Sequence, residues 1–147
     1  MRKSCCLILA LMPMGSAMAV DHFTSVQPSS LAAVMHPGDM RNLDIVVMYA
    51  NTDLQQVTVT GYVQDDPACP ESLSSHTWIP FAVQQYSMPP GGIQGTINYS
   101  VPFDATGMGF GSYRTNICIV QSSDATDVVP VLLKVVAPDD IFFDGFD

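Results

Sequence analysis

Positive charge is scarce in this sequence. Five lysines and arginines face fourteen acids, for a formal net charge of −9. Arg2 and Lys3 stand at the very start, so the rest of the chain holds only Arg41, Arg114 and Lys134. A field of that sign repels phosphate backbones and anionic lipid, which argues against a nucleic-acid partner. Sustained helical periodicity is missing too, as is an apolar run of membrane-spanning length. The cysteines form no CxxC, and His22, His36 and His76 are scattered, so no metal-ligand set is spelled out. There is no GxSxG, no HExxH and no phosphate-cradling loop. "GGIQG" and "GMGFG" are glycine-rich, but each falls between extended segments, where turns need them. Together these absences point away from nucleotide, metal and hydrolase chemistry and call for no cofactor.

What is present begins with "MRKSCCLILALMPMGSAMA". A basic start, a short apolar stretch from Leu7 to Met14 and the small-x-small pattern Ala17-Met18-Ala19 spell a secretory signal peptide over residues 1–19. The apolar stretch is too short and wrongly flanked for a membrane anchor. Cys5 and Cys6 precede it, which disfavours a lipoprotein. Residues 20–147 then carry every acid against three bases and suffice for one domain with its own core. They keep only Cys69 and Cys118. Two cysteines in an exported chain pair most readily with each other. A loop of about 50 residues closed that way is worth ~4 kcal/mol in the chain-entropy account.

Period-two alternation dominates the remainder. In "TINYSVPFD", Ile97, Tyr99, Val101 and Phe103 point one way, while Thr96, Asn98, Ser100 and Pro102 point the other. Val57, Val59 and Val63 share a face with Gly61. "NLDIVVMYAN" is apolar on both faces after Asp44, as in a central strand. Val129, Val131, Leu133 and Val135 alternate inward, and Pro130 marks their segment as an edge, since it cannot donate to a ladder. Turn residues separate about seven expected strands, at 31–35, 42–50, 56–64, 78–84, 94–103, 112–121 and 127–136. Strands this short and regular predict an all-β sandwich over residues 30–137, with residues 20–29 as a leader and 138–147 as a tail.

The stretch "FDATGMGFGSYRTNICIVQSSDATDVVPVLLKVV" resembles the C-terminal half of bacterial immunoglobulin-like modules of the BACON and ASH type. The match runs through Phe103 to Gly107, Gly111, Tyr113, Asp124 and Val129 to Val135, with Trp78, Ile79 and Gly91-Gly92 upstream. The "SSDA" turn and the spacing after Trp78 depart from the family pattern. The resemblance implies an immunoglobulin-like β-sandwich of antiparallel strands in an exported bacterial protein, secreted, periplasmic or at the cell surface. On this frame Tyr113 suits a strand-entry corner, its hydroxyl on a backbone partner. Trp78, the single tryptophan, reads as a core plug between sheets. Antibody domains use Tyr-x-Cys, which sets both residues on one face. Tyr113 and Cys118 are five apart, so an unbulged strand turns Ile117 and Ile119 inward and Cys118 outward. Paired with Cys69 in "DPACPES", it would staple that loop over the outer face of a sheet.

Candidate sites are few. Asp65, Asp66 and Glu71 could hold calcium or form an acidic hydrolase site, but no DxDxDG spacing supports the ion, and solvated loop acids are the plainer reading. "NYS" at 98–100 matches a glycosylation sequon inside an expected strand. The segment "DDIFFDGFD" sets four acids and no base around three phenylalanines. It resembles a short I-F-x-D-G-F-[ED] ending of exported proteins in some Gram-negative bacteria. Ile141, Phe142, Phe143, Asp144, Gly145, Phe146 and Asp147 therefore form a candidate partner-binding peptide, soluble through its acids and able to dock through its rings. The plainer reading is a passive terminus. The overall expectation is a non-enzymatic binding module for a protein or polysaccharide partner, with a C-terminal sorting or docking peptide. A pilus or adhesin subunit and a hydrolase accessory protein are the alternatives.

Overall fold

The computed structural model describes residues 22–122 and 125–138. The expected signal segment 1–19, Asp124 and the peptide Ile141–Asp147 lie outside those residues.

Eight strands and, among the described residues, no helix make up the chain: β1 (Phe23–Gln27), β2 (Leu31–Met35), β3 (Met40–Asn51), β4 (Val57–Gln64), β5 (Gln84–Met88), β6 (Ile93–Asp104), β7 (Gly111–Gln121) and β8 (Thr126–Val135). A three-stranded sheet runs β1-β3-β6 and a five-stranded sheet runs β2-β8-β7-β4-β5. Stacked face to face they form an immunoglobulin-like sandwich, the class that the alternation predicts.

The inward residues anticipated from period two are the core. Ile97, Tyr99, Val101 and Phe103 of β6 are buried, as are Val57, Val59 and Val63 of β4 and Val129, Val131, Leu133 and Val135 of β8. Register puts Ile45 opposite Tyr99 and Val47 opposite Ile97. In the other sheet Val63 faces Ile117, which in turn faces Val129. β3 lies between β1 and β6; Ile45, Val47 and Tyr49 on its inner face are buried, whereas Met48 on the other face is exposed.

Four details differ from the sequence expectation. The leader contains a strand, because Phe23 and Val26 of β1 pack on the core while the strand pairs with β3. Such a short, irregularly patterned segment gives no alternation to read. The strand placed at 78–84 lies instead at Gln84–Met88. Pro80 interrupts the earlier segment, which enters the core as a loop carrying Trp78, Ile79 and Phe81. The sheets are not wholly antiparallel: β2 pairs with β8 in parallel, Leu31 opposite Val131 through Met35 opposite Val135. Pro130 accordingly does not mark an edge. β8 is flanked by β2 and β7, and Pro130 stands one residue before the parallel ladder begins, where a missing N–H is tolerated.

Aromatic side chains lock the two sheets. Trp78 packs between Phe103 of one sheet and Tyr113 of the other, ring centroids 6.3 and 6.2 Å away. The Tyr113 hydroxyl donates to Gly109 O at 2.8 Å, closing the strand-entry corner. The Tyr99 ring lies so close to Gly61 that a Cβ there would stand 2.6 Å from Tyr99 Cε1. Gly95 receives the Tyr49 ring in the same way. The Tyr99 hydroxyl is buried without a hydrogen-bond partner, and burial pushes its pKa upward.

Two substitutions at this contact should separate its terms. Gly61→Ala forces the Tyr99 ring to move and should cost about 1–3 kcal/mol. Tyr99→Phe removes an unsatisfied hydroxyl and should leave stability equal or higher. Urea unfolding followed by the emission of Trp78 measures both.

A cleft on the outer face of the five-stranded sheet

β7 turns Ile117 and Ile119 into the core, and Arg114, Asn116 and Cys118 to the opposite face. Cys118 is fully buried all the same, because the loop after β4 roofs it. Cys69 in that loop is bonded to Cys118, with 5.8 Å between their Cα atoms. Cys118 stands opposite Tyr62 of β4, so the disulfide lies over the outer face and not between the sheets. Side chains complete the clamp. The Tyr62 hydroxyl donates to Cys69 O at 2.9 Å and to Pro70 O at 3.2 Å. Burial, with the Glu71 charge adding, pushes the Tyr62 phenol up. Gln64 Nε2 donates to Ser72 O, and its Oε1 accepts from Ser74 Oγ at 3.0 Å. Asn116 Nδ2 donates to the Gln64 and Asp65 carbonyls at 3.1 and 3.0 Å. The loop thus finds partners for its backbone groups on the sheet beneath it.

At the near end of this loop Asp65 Oδ1 hydrogen-bonds His76 Nε2 at 2.8 Å and accepts from Thr115 Oγ1 at 2.8 Å. The His76 bond first, then the Thr115 bond, hold the Asp65 carboxyl below its ordinary value of 3.8. The His76 ring leans on Trp78, centroids 5.7 Å apart. Between this pair and the outer faces of β2, β8 and β7 opens a cleft of about 570 Å³. Ala32, Pro130 and Leu132 supply apolar walls, while Arg114 and Asn116 supply polar groups. Arg114 makes no ion pair with a described residue. Asp65, His76, Thr115 and Asn116 are all hydrogen-bonded within the chain, whereas the Arg114 guanidinium faces the cleft without an ionic partner among the described residues.

Of the three acids singled out in the sequence, only Asp65 lines the cleft. Asp66 caps its own turn, Oδ1 accepting from Ala68 N at 2.8 Å. Among the described residues no three His, Cys, Asp or Glu side chains converge on a metal position. No hydroxyl among them hydrogen-bonds His76, and Cys69 and Cys118 are joined to each other. Asn98 of the sequon is exposed on β6, within the strand. Sequence reading missed the Asp65–His76 pair, eleven positions apart in a loop without periodicity, and Arg114, which nothing local distinguishes.

No family model matches the sequence, and no curated protein matches it. Solved structures do resemble it in fold. The ASH/PapD-like domain 7 of human CEP192 superposes with a TM-score of 0.57 at 12% identity, over 93% of this chain and all of that domain. A Bacteroides ovatus protein assigned to carbohydrate binding superposes with a TM-score of 0.50 at 16% identity, over 76% of this chain and 37% of that one. At these identities the likeness establishes the fold alone: an immunoglobulin-like β-sandwich.

Two measurements test the clamp and the pair. Replacing Cys69 and Cys118 together by serine should cost about 2–4 kcal/mol in denaturant unfolding; an unchanged midpoint would show that the loop is held by hydrogen bonds alone. Asp65 has a depressed folded pKa, so its contribution is present above the unfolded value and is lost as the pH falls below about 4. Asp65→Asn should therefore narrow the difference in stability between pH 7 and pH 3 relative to the parent chain.

Proposed function

We propose that this chain is an exported, non-enzymatic immunoglobulin-like module of the BACON type. It binds a protein or polysaccharide partner in the periplasm, at the cell surface or outside the cell, and residues 139–147 serve as a sorting or docking peptide. The observation that carries this reading is the cleft. A guanidinium without an ionic partner among the described residues and exposed apolar side chains lie together on one sheet face, and Asp65, His76, Thr115 and Asn116 are already hydrogen-bonded within the chain. A surface of that kind can hold a partner by a charge-assisted bond and apolar contact.

Three further points support it. A cysteine pair in bonding geometry suits an oxidising compartment. The Bacteroides ovatus neighbour is assigned to carbohydrate binding and shares the fold. The net charge of −9 disfavours nucleic acid. The hydrolase reading needs two acids in one cleft with raised pKa values; Asp65 stands there without Asp66 or Glu71, and its pKa is lowered. The strand-exchange reading of a pilus subunit needs a core that lacks a strand, whereas eight strands from one chain close this one.

The test is binding of residues 20–147 to a panel of neutral and acidic polysaccharides and to cell-surface protein extracts, with Arg114→Ala and Arg41→Ala as variants. Arg114→Ala should weaken the captured partner roughly tenfold or more, the range of one charged hydrogen bond. Arg41→Ala, on the other sheet, should change nothing. Equal effects of the two variants would overturn the cleft as the seat.

A further inference from the structure

The face that carries the cleft continues toward the end of β8. Lys134 and Val34 face each other across the parallel ladder there, followed by Leu132 and Ala32, with Arg114 on the neighbouring β7. Val34 is 54% exposed, and Ala32, Lys134 and Arg114 are exposed as well. Two of the three bases beyond the expected signal segment thus lie on one sheet face, beside an uncovered aliphatic strip, and neither makes an ion pair with a described residue. β2, the outermost strand of the sheet, is paired to β8 alone among the described residues.

The chain leaves the fold at this place. Val136 N donates to Met35 O at 3.0 Å, which fixes the exit beside the end of β2. Pro138 is the last described residue before "DDIFFDGFD". Those nine residues can span up to about 30 Å extended. The far wall of the cleft at Pro130 is five residues back along β8, about 17 Å. Reach is therefore ample for a segment that turns back. Its chemistry is the complement of the face: four acids and no base, with Ile141, Phe142, Phe143 and Phe146 as the apolar part.

We propose that residues 139–147 fold back in cis over the outer face of β2, β8 and β7, with their acids near Lys134 and Arg114 and their rings on Ala32, Val34 and Leu132. The inference rests on the reading of this face as a docking surface and adds its first occupant, which an outside partner must displace. Asp65 is the acid at the far wall, and its bonds to His76 and Thr115 direct it away from the bases.

The experiment compares amide chemical shifts of residues 20–147 with those of the same chain carrying Ile141→Ser, Phe142→Ser and Phe143→Ser, changes outside all eight strands. Docking predicts shift differences at Ala32, Val34, Arg114 and Leu132 and none at Gly95 and Thr96 on the other sheet. It also predicts that the pair Arg114→Glu and Lys134→Glu moves the amides of Asp144 and Asp147. Superimposed spectra across β2, β7 and β8 would overturn the proposal. So would differences that appear only in concentrated samples together with a dimer, because the contact would then join two copies. The address reading fails separately: normal delivery of the triple variant in cells, alongside perturbed strands, removes sorting and keeps docking. Lost delivery with unperturbed strands removes docking and keeps sorting.

Discussion

Everything distinctive about this molecule depends on one strand showing two faces to two environments. β7 sends Ile117 and Ile119 between the sheets, and on the residues between and beside them it places Cys118, Asn116 and Arg114 outside. The same period of two that builds the core therefore positions the staple, the loop clamp and the cleft's guanidinium. A shift of one residue in β7 would exchange the two sets at once, burying a charge and exposing two isoleucines. Core and site cannot vary independently here.

The parts of the fold legible in the sequence are those governed by alternation. Ile97 to Phe103, Val57 to Val63 and Val129 to Val135 announce their faces because each segment has one wet and one dry side. The departures occur where another constraint takes over. β1 is too short to display a period. The segment around Trp78 follows the demands of a plug, and Pro80 forbids a ladder there. The parallel partnership of β2 with β8 is invisible because strand direction leaves no local mark on composition. The site was less legible than the fold. Cys118 could be assigned to the outer face from spacing alone, whereas the Asp65–His76 pair arises from a loop whose path is set by the disulfide and by Gln64, Tyr62 and Asn116.

Charge organises the outer surface in the same economical way. With so few bases, two on one sheet face make that face the natural destination for anything acidic. The acids near the cleft are engaged in local hydrogen bonds: Asp65 with His76 and Thr115, Asp66 with the Ala68 amide. The polar side chains of Asp65, Gln64 and Asn116 are thus spent on holding the loop to the sheet.

The ladder between β2 and β8 carries a temporal consequence. Leu31 and Val131 are partners across one hundred positions of sequence, and β2 has no other strand beside it among the described residues. On a chain that emerges amino end first, from a ribosome or a translocation pore, Leu31 waits for almost the whole polypeptide before it can pair. Contacts of such separation close late and slowly. The ladder that seats β2 therefore waits on the delivery of β8.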